Sequence, residues 1–228
     1  MKKILIILMA LILVGCQNAQ TDKSSSQAQD NTSQTNEEID KLLSNDQKIL
    51  VAYFSRVGNT DFPSDVDTSS SASVIVDGDK IIGNTEYIAD VIVEQTKGDK
   101  FLIQTENKYS ADYDELVDEQ QTERNKDTRP ALSSHINDFN DYDVIFLGYP
   151  NWWYGMPMPL YTFLEEYDFS GKIIIPFNTS GGSGFSDSIS EIKKLCPNAT
   201  VLEGYTTNGS NVRNDYDEIV EWINEIKQ

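Results

Sequence analysis

The sequence is poor in the residues that most enzymes and metal sites are built from. It has one histidine, His135, and two cysteines, Cys16 and Cys196. No C-x-x-C pair and no Cys/His cluster with zinc spacing occurs. Basic residues are scarce, with 18 Lys and Arg against 37 Asp and Glu, a formal charge of −19. Nucleic acid is thereby excluded as a partner, because phosphate backbones demand a basic face. Close apposition to anionic lipid is disfavoured too. Two readings of the acidity remain: simple solubility, or steering toward a basic partner. Nor is there an apolar run long enough to cross a bilayer comfortably.

The longest apolar run, Ile4 to Val14, follows Lys2 and Lys3 and ends in Leu13-Val14-Gly15-Cys16. Positive start, short apolar stretch, small residues and cysteine stand in the order of a bacterial lipoprotein signal. Residues 1–15 are read as that signal and Cys16 as the lipidation site. The rival is a plain secretory signal with an incidental cysteine. Cleavage would remove two lysines and no acid, making the chain two charges more negative than −19. Residues 16–46 form a polar stretch rich in Gln, Asn, Ser and Thr, too poor in apolar side chains to offset ordering entropy. As a random-coil tether of about 30 residues it would reach roughly 30 Å. The expected location is outside the cytoplasm, held to the membrane by lipid alone. If Cys16 is acylated, Cys196 is left as a small packing residue.

Residues 47–228 suit one domain. Lys48 to Phe54 is a near-continuous apolar run, the pattern of a strand buried on both faces. Similar runs occur at Phe101–Ile103, Val144–Leu147, Ile173–Phe177 and Val201–Leu202. Helical spacing separates them, over Thr85 to about Thr96, Tyr113 to Asn125, Pro159 to Tyr167, Ser186 to Leu195, and from about Arg213 onward. Five strands alternating with five helices predict an α/β three-layer sandwich, a parallel sheet covered on both faces. Ligands of such sheets bind beyond the strands' carboxyl ends. Residues 61–83 interrupt the alternation. Asp77-Gly78 between β-rich flanks predicts a hairpin there, placed either as part of a lid or as a surface loop.

Three loops follow the predicted strands. Ser55-Arg56-Val57-Gly58-Asn59-Thr60 follows the first and offers small, hydroxyl-bearing residues suited to an anion cradle. The helix that should complete the cradle starts only after the insertion, at Gly83-Asn84-Thr85, so the insertion splits the loop. Pro150-Asn151-Trp152-Trp153-Tyr154-Gly155 follows the third strand. Three successive aromatics on a loop cannot all point inward, and a planar ligand would explain them; a protein-binding patch is the rival reading. Thr179-Ser180-Gly181-Gly182-Ser183 follows the fourth strand, and its glycines permit close backbone approach. A nucleophile elbow fails here, since position 185 is Phe rather than Gly. His135 lies in a polar, acidic stretch and reads as a surface residue.

Val51 to Thr60 closely resembles the opening phosphate-loop motif of the flavodoxin family. The likeness extends from Ile49 to about Ile226, with all three loops in order, and is nearest to bacterial flavodoxin-like proteins carrying an insertion after the phosphate loop. It implies a flavodoxin-like fold and FMN as cofactor. Ser55, Val57, Gly58, Asn59, Thr60, Asn84 and Thr85 would then surround the phosphate. Arg56 is included as well, although family loops often lack a base there and its side chain has the option of facing solvent. Pro150 to Gly155 would lie against the flavin ring, and Thr179 to Ser183 along its pyrimidine edge. The split loop and the lipid signal depart from ordinary, cytoplasmic flavodoxins, so the usual partners do not carry over. The expected function is electron transfer outside the cytoplasm, with a redox protein or a small molecule as donor or acceptor. An FMN-dependent NAD(P)H or quinone reductase is the first alternative. A flavin-free binding lipoprotein is the second.

Overall fold

In the computed structural model, residues 46–63, 73–77 and 80–227 are described. The signal, Cys16 and the tether, up to residue 45, fall outside them. The central strands are β1 (Ile49–Tyr53), β5 (Val144–Pro150) and β6 (Ile173–Ser180). Every residue of β5 and β6 is buried, as expected for parallel strands covered on both faces. β4 (Asp99–Leu102) lies on the other side of β1, giving the order β4-β1-β5-β6. It starts two residues before the predicted run. As an edge strand it carries the exposed Asp99 and Lys100, which discourage pairing with another chain.

The far edge departs from expectation. Two short strands, β7 (Thr200–Val201) and β8 (Tyr205–Asn208), both pair with β6 in parallel. Ile174 is opposite Val201 and Phe177 is opposite Tyr205, so the edge inserts one extra residue. The bulge falls beside Pro176, which has no N–H to offer the ladder. Composition predicted one fifth strand; the proline splits it in two.

Alternation along the strands divides the core between two faces. Val51, Tyr53, Val144, Phe146, Ile175 and Phe177 meet Ile88, Ala89 and Ile92 of α1 (Asn84–Thr96) and Ile219 and Ile223 of α5 (Tyr216–Ile226). Leu50, Ala52, Ile145, Leu147 and Ile174 meet the other helices. These are α2 (Tyr113–Asn125) through Leu116, α3 (Met158–Glu166) through Leu160, Phe163 and Leu164, and α4 (Ser188–Leu195) through Ile192. Each such buried aliphatic side chain contributes about 1.5–3 kcal/mol. α2 begins where predicted because Asp112 caps it, accepting the Glu115 N–H at 3.0 Å. Asp114 and Glu115 in its first turn and Arg124 in its last complement the helix dipole.

The insertion contains the predicted hairpin. β2 (Val74–Asp77) pairs antiparallel with β3 (Lys80–Gly83), which runs directly into α1. Cys196 is buried, and burial pushes its thiol up to about 11, in keeping with a packing role. Among the described residues, no helix is long and apolar enough to cross a membrane.

Candidate functional site

The strand order reverses between β1 and β5, and the loops leaving their carboxyl ends part there. The loop after β1 is fixed from below. Asn59 is 0 % exposed, and both halves of its amide are in use. Its Nδ2 donates to the carbonyls of Ser55 and Ile103, each at 2.9 Å, while Oδ1 accepts from Thr105 N and Oγ1. Asn59 therefore shapes the cradle rather than offering its side chain to a ligand. Ser55 Oγ accepts the Val57 N–H at 3.2 Å. Gly58 turns the chain at φ 93°, and its carbonyl accepts from Lys108 Nζ and Gln104 Nε2.

Arg56 does not face solvent. It is 2 % exposed, donates to the Ser110 and Ala111 carbonyls at 3.2 Å each, and lies 4.9 Å from the Phe62 ring centre. Burial lowers its pKa, but a guanidinium stays charged across the physiological range. A permanent cation thus stands within the loop of a strongly acidic protein.

The split loop closes as the sequence implied. A Cβ on Gly83 would lie 1.9 Å from Ser55 Oγ, so only glycine lets the two halves meet. Asn84 and Thr85 are buried at the start of α1. The Asn84 N–H is taken by the Ser73 carbonyl at 2.9 Å. Thr85 Oγ1 lies 3.0 Å from Thr179 Oγ1, joining the cradle to the end of β6.

Beyond Thr179 opens a cavity of about 420 Å³. Of the predicted residues, Pro150, Asn151, Trp152, Trp153, Tyr154, Thr179, Ser180, Gly181 and Ser183 line it. Sequence reasoning missed Ser73 of the insertion and Tyr113, Leu116, Val117 and Gln120 of α2, which complete the wall. The apolar stripe of α2 was visible; its position over the site was not, because it depends on how β4 and β5 flank β1.

The three aromatics part company in space. Trp152 turns inward, edge-on to Phe54 at 5.3 Å and to Tyr109 at 5.6 Å between ring centres. Trp153 and Tyr154 are 39 % and 68 % exposed. Both have positive φ, 51° and 62°, while Trp152 and Gly155 exchange both backbone hydrogen bonds around them. This is the geometry of a two-residue primed hairpin turn, usually made by Asn-Gly. Holding bulky residues in it costs about 1–2 kcal/mol each. A Cβ on Gly155 would lie 2.5 Å from Arg124 Nη1, so a side chain there would push aside the guanidinium that pairs with Glu191 at 3.2 Å. The third loop is tied across: Asn151 Nδ2 donates to the Gly184 carbonyl at 2.5 Å, and the Asp187 N–H to the Tyr154 carbonyl at 3.1 Å. Ser180 Oγ accepts from the N–H groups of Gly182 and Gly184, each at 3.1 Å. Gly181 and Gly182 face open space.

The site is thus a hydroxyl- and amide-lined cradle at a helix start, beside a cavity with aromatic walls. Together with the doubly wound sheet it defines a mononucleotide-binding type of α/β domain. The Flavodoxin family profile matches residues 73–226, about two thirds of the chain, and the chain belongs to the flavodoxin family. A candidate flavoprotein from Bacteroides uniformis is similar in structure, with 30% identity, TM-score 0.60, and coverage of 78% of this chain and 98% of that one. A candidate flavoprotein from Bacteroides eggerthii gives 30% identity and TM-score 0.55, over 76% and 98% of the two chains. A Lactobacillus acidophilus flavoprotein, solved in complex with FMN, shares the fold at 20% identity and TM-score 0.51, over 74% and 97%. A curated Nostoc flavodoxin is 30% identical over 66 residues, 25% of this chain. The match spans only 36% of that relative's length.

Proposed function

We propose that this protein binds FMN in the cradle and cavity and passes electrons outside the cytoplasm, tethered by a lipid on Cys16. One observation carries the cofactor reading. The Thr60 hydroxyl is buried in the cradle with no hydrogen-bond partner among the described residues. A buried hydroxyl left unpaired costs about 1–3 kcal/mol, which a phosphate oxygen would remove. The rest of the donor set fits the same group. The Arg56 cation lies within the loop, and the start of α1 points its dipole toward an anion. The cavity falls within the roughly 300–1,000 Å³ of small-molecule sites, and its indole and phenol walls suit a planar ring.

When bound, FMN supplies reversible uptake of one or two electrons. The chain's own part is positioning. The Trp152–Gly155 turn presents Trp153 and Tyr154 at fixed angles, and the glycine loop brings amides to the ring's edge. The acidic chain opposes added negative charge at the site, making reduction harder than for free FMN. Among the described residues, no side chain at the site has the pairing of a nucleophile with a base. His135, the one histidine, is exposed and bound to Glu166 at 2.7 Å. That supports a carrier over a hydrolytic or transfer enzyme, with a basic redox protein or a small molecule as partner.

The test is to add FMN to the purified protein, remove the excess and record the visible spectrum. A retained and perturbed flavin spectrum is expected. A folded, colourless protein would sink the cofactor reading and leave a binding lipoprotein. NAD(P)H oxidation by the loaded protein, faster than with free FMN, would replace the carrier with a reductase. Cys16→Ser should move the protein from the membrane fraction to the soluble one.

The strained turn gives a sharper prediction. Tyr154→Gly should raise fold stability by about 1 kcal/mol, since glycine accepts positive φ freely and Tyr154 has few contacts to lose. The same change should weaken FMN binding about 10-fold or more by removing a ring from the wall. Thermal denaturation and fluorescence titration read the two effects. Unchanged affinity would remove Tyr154 from the site.

A further inference from the structure

Trp152 does more than line the cavity. Its ring stands edge-on to Tyr109, 5.6 Å between centres at 83°. Tyr109 is buried, and its hydroxyl donates to Glu123 Oε2 at 2.9 Å. Both Tyr109 and Glu123 border a second groove of about 590 Å³, between the 105–112 segment and α2. Indole, phenol and carboxylate therefore run in contact from the cavity to a separate surface groove.

We infer that Trp152, Tyr109 and Glu123 form a relay that moves an oxidising equivalent out of the cavity. The starting event is loss of one electron from Trp152 to a one-electron oxidant, either photoexcited flavin or a soluble radical. Tyr109 then gives one electron to the Trp152 radical cation and restores the indole. The Tyr109 O–H bond breaks as this happens, and its proton forms a new O–H bond on Glu123. The products are a neutral tyrosyl radical and a protonated Glu123, so charge and atoms balance. A small reductant in the groove can return one electron to Tyr109, and the proton held on Glu123 goes back to the phenol oxygen, which restores both groups.

Two features favour this direction. A phenol gives up an electron far more readily when its proton has somewhere to go, and Glu123 is already hydrogen-bonded to it. Burial raises the Glu123 pKa, making it a better proton acceptor, and burial also raises that of Tyr109, so the proton leaves only together with the electron. The second tryptophan–tyrosine contact shows what the first one adds. Trp222 and Tyr205 are 5.3 Å apart, yet the side chain beside the Tyr205 hydroxyl is the Thr207 hydroxyl and not a hydrogen-bonded carboxylate. Lacking a carboxylate to take the proton, that pair should not trap an oxidising equivalent.

The relay itself does not need the flavin; only its natural oxidant rests on the FMN reading. The test therefore uses flavin-free, full-length protein and azide radical, generated by pulse radiolysis, to oxidise tryptophan. In the unaltered protein the tryptophan radical should decay as a tyrosyl radical grows, at a rate independent of protein concentration. Tyr109→Phe should slow that decay about 10-fold or more, and Glu123→Gln about threefold or more. Both changes keep the shape of the side chain, and circular dichroism checks the fold. Tyr205→Phe should leave the rate unchanged. A phase that survives Tyr109→Phe, or is indifferent to Glu123→Gln, overturns the relay whether or not the protein binds FMN. A colourless protein that keeps the phase would overturn only the flavin as oxidant.

Discussion

Replacing Asn59 with alanine is expected to cost roughly 3–5 kcal/mol of stability and to abolish tight FMN binding. The side chain is wholly enclosed and serves four partners: two carbonyls, one amide and one hydroxyl. Alanine leaves the Thr105 N–H and the carbonyls of Ser55 and Ile103 short of their partner in a space closed to water. Each unsatisfied buried group costs about 1–3 kcal/mol, partly recovered by relaxation. The same bonds hold the cradle against the segment after β4, so the loss spreads from stability to the ligand. Urea denaturation reads the first effect and FMN titration the second. A variant that keeps its stability would show that the loop does not depend on this amide.

Gly204→Ala is expected to destabilise the fold by about 3 kcal/mol or more, through overpacking that cannot relax. The added Cβ would lie 2.0 Å from the Pro176 carbonyl oxygen and 2.8 Å from the Phe185 ring. The first of these is backbone of a central strand, held on its other side by β5. The edge strand would have to move away, breaking the Phe177–Tyr205 register that carries β8. Its neighbours would follow. Thr206 Oγ1 donates to Asn178 Oδ1 at 2.5 Å, and Asn178 Nδ2 donates to the Gly184 carbonyl at 2.9 Å. The glycine loop should loosen with the strand, so FMN affinity should fall alongside the thermal midpoint. A midpoint within a degree or two of the unaltered protein would mean that the bulge accommodates a side chain.

These two residues mark the limit of what could be read in advance. Asn59 stood in a recognisable motif, and the motif suggested contact with phosphate. Besides Ser55 in its own loop, its partners are Ile103 and Thr105, more than forty positions away, and nothing local in the sequence points to them. Arg56 differs in the same way. Its neighbours Ser110 and Ala111 carry no motif, so a solvent-facing side chain was a fair local reading. Gly204 belonged to no motif at all; its constraint arises only where Pro176 interrupts the ladder.

Hydrophobic patterning determined the strands, the helices and their alternation, because burial on two faces imposes continuous apolar runs and one-sided burial imposes helical spacing. Turn chemistry determined the first and third loops and the hairpin of the insertion, because glycine, asparagine and small hydroxyl residues favour sharp backbone turns; the second loop was legible by its aromatics, and its turn on Trp153 and Tyr154 was not. The order of strands, the closing of the split cradle by Gly83 against Ser55, and the parting of Trp152 from Trp153 were left to tertiary structure. So was the succession of contacts from Trp152 to Tyr109 and from Tyr109 to Glu123. Each of these joins residues distant in the chain, through packing that has no local signature.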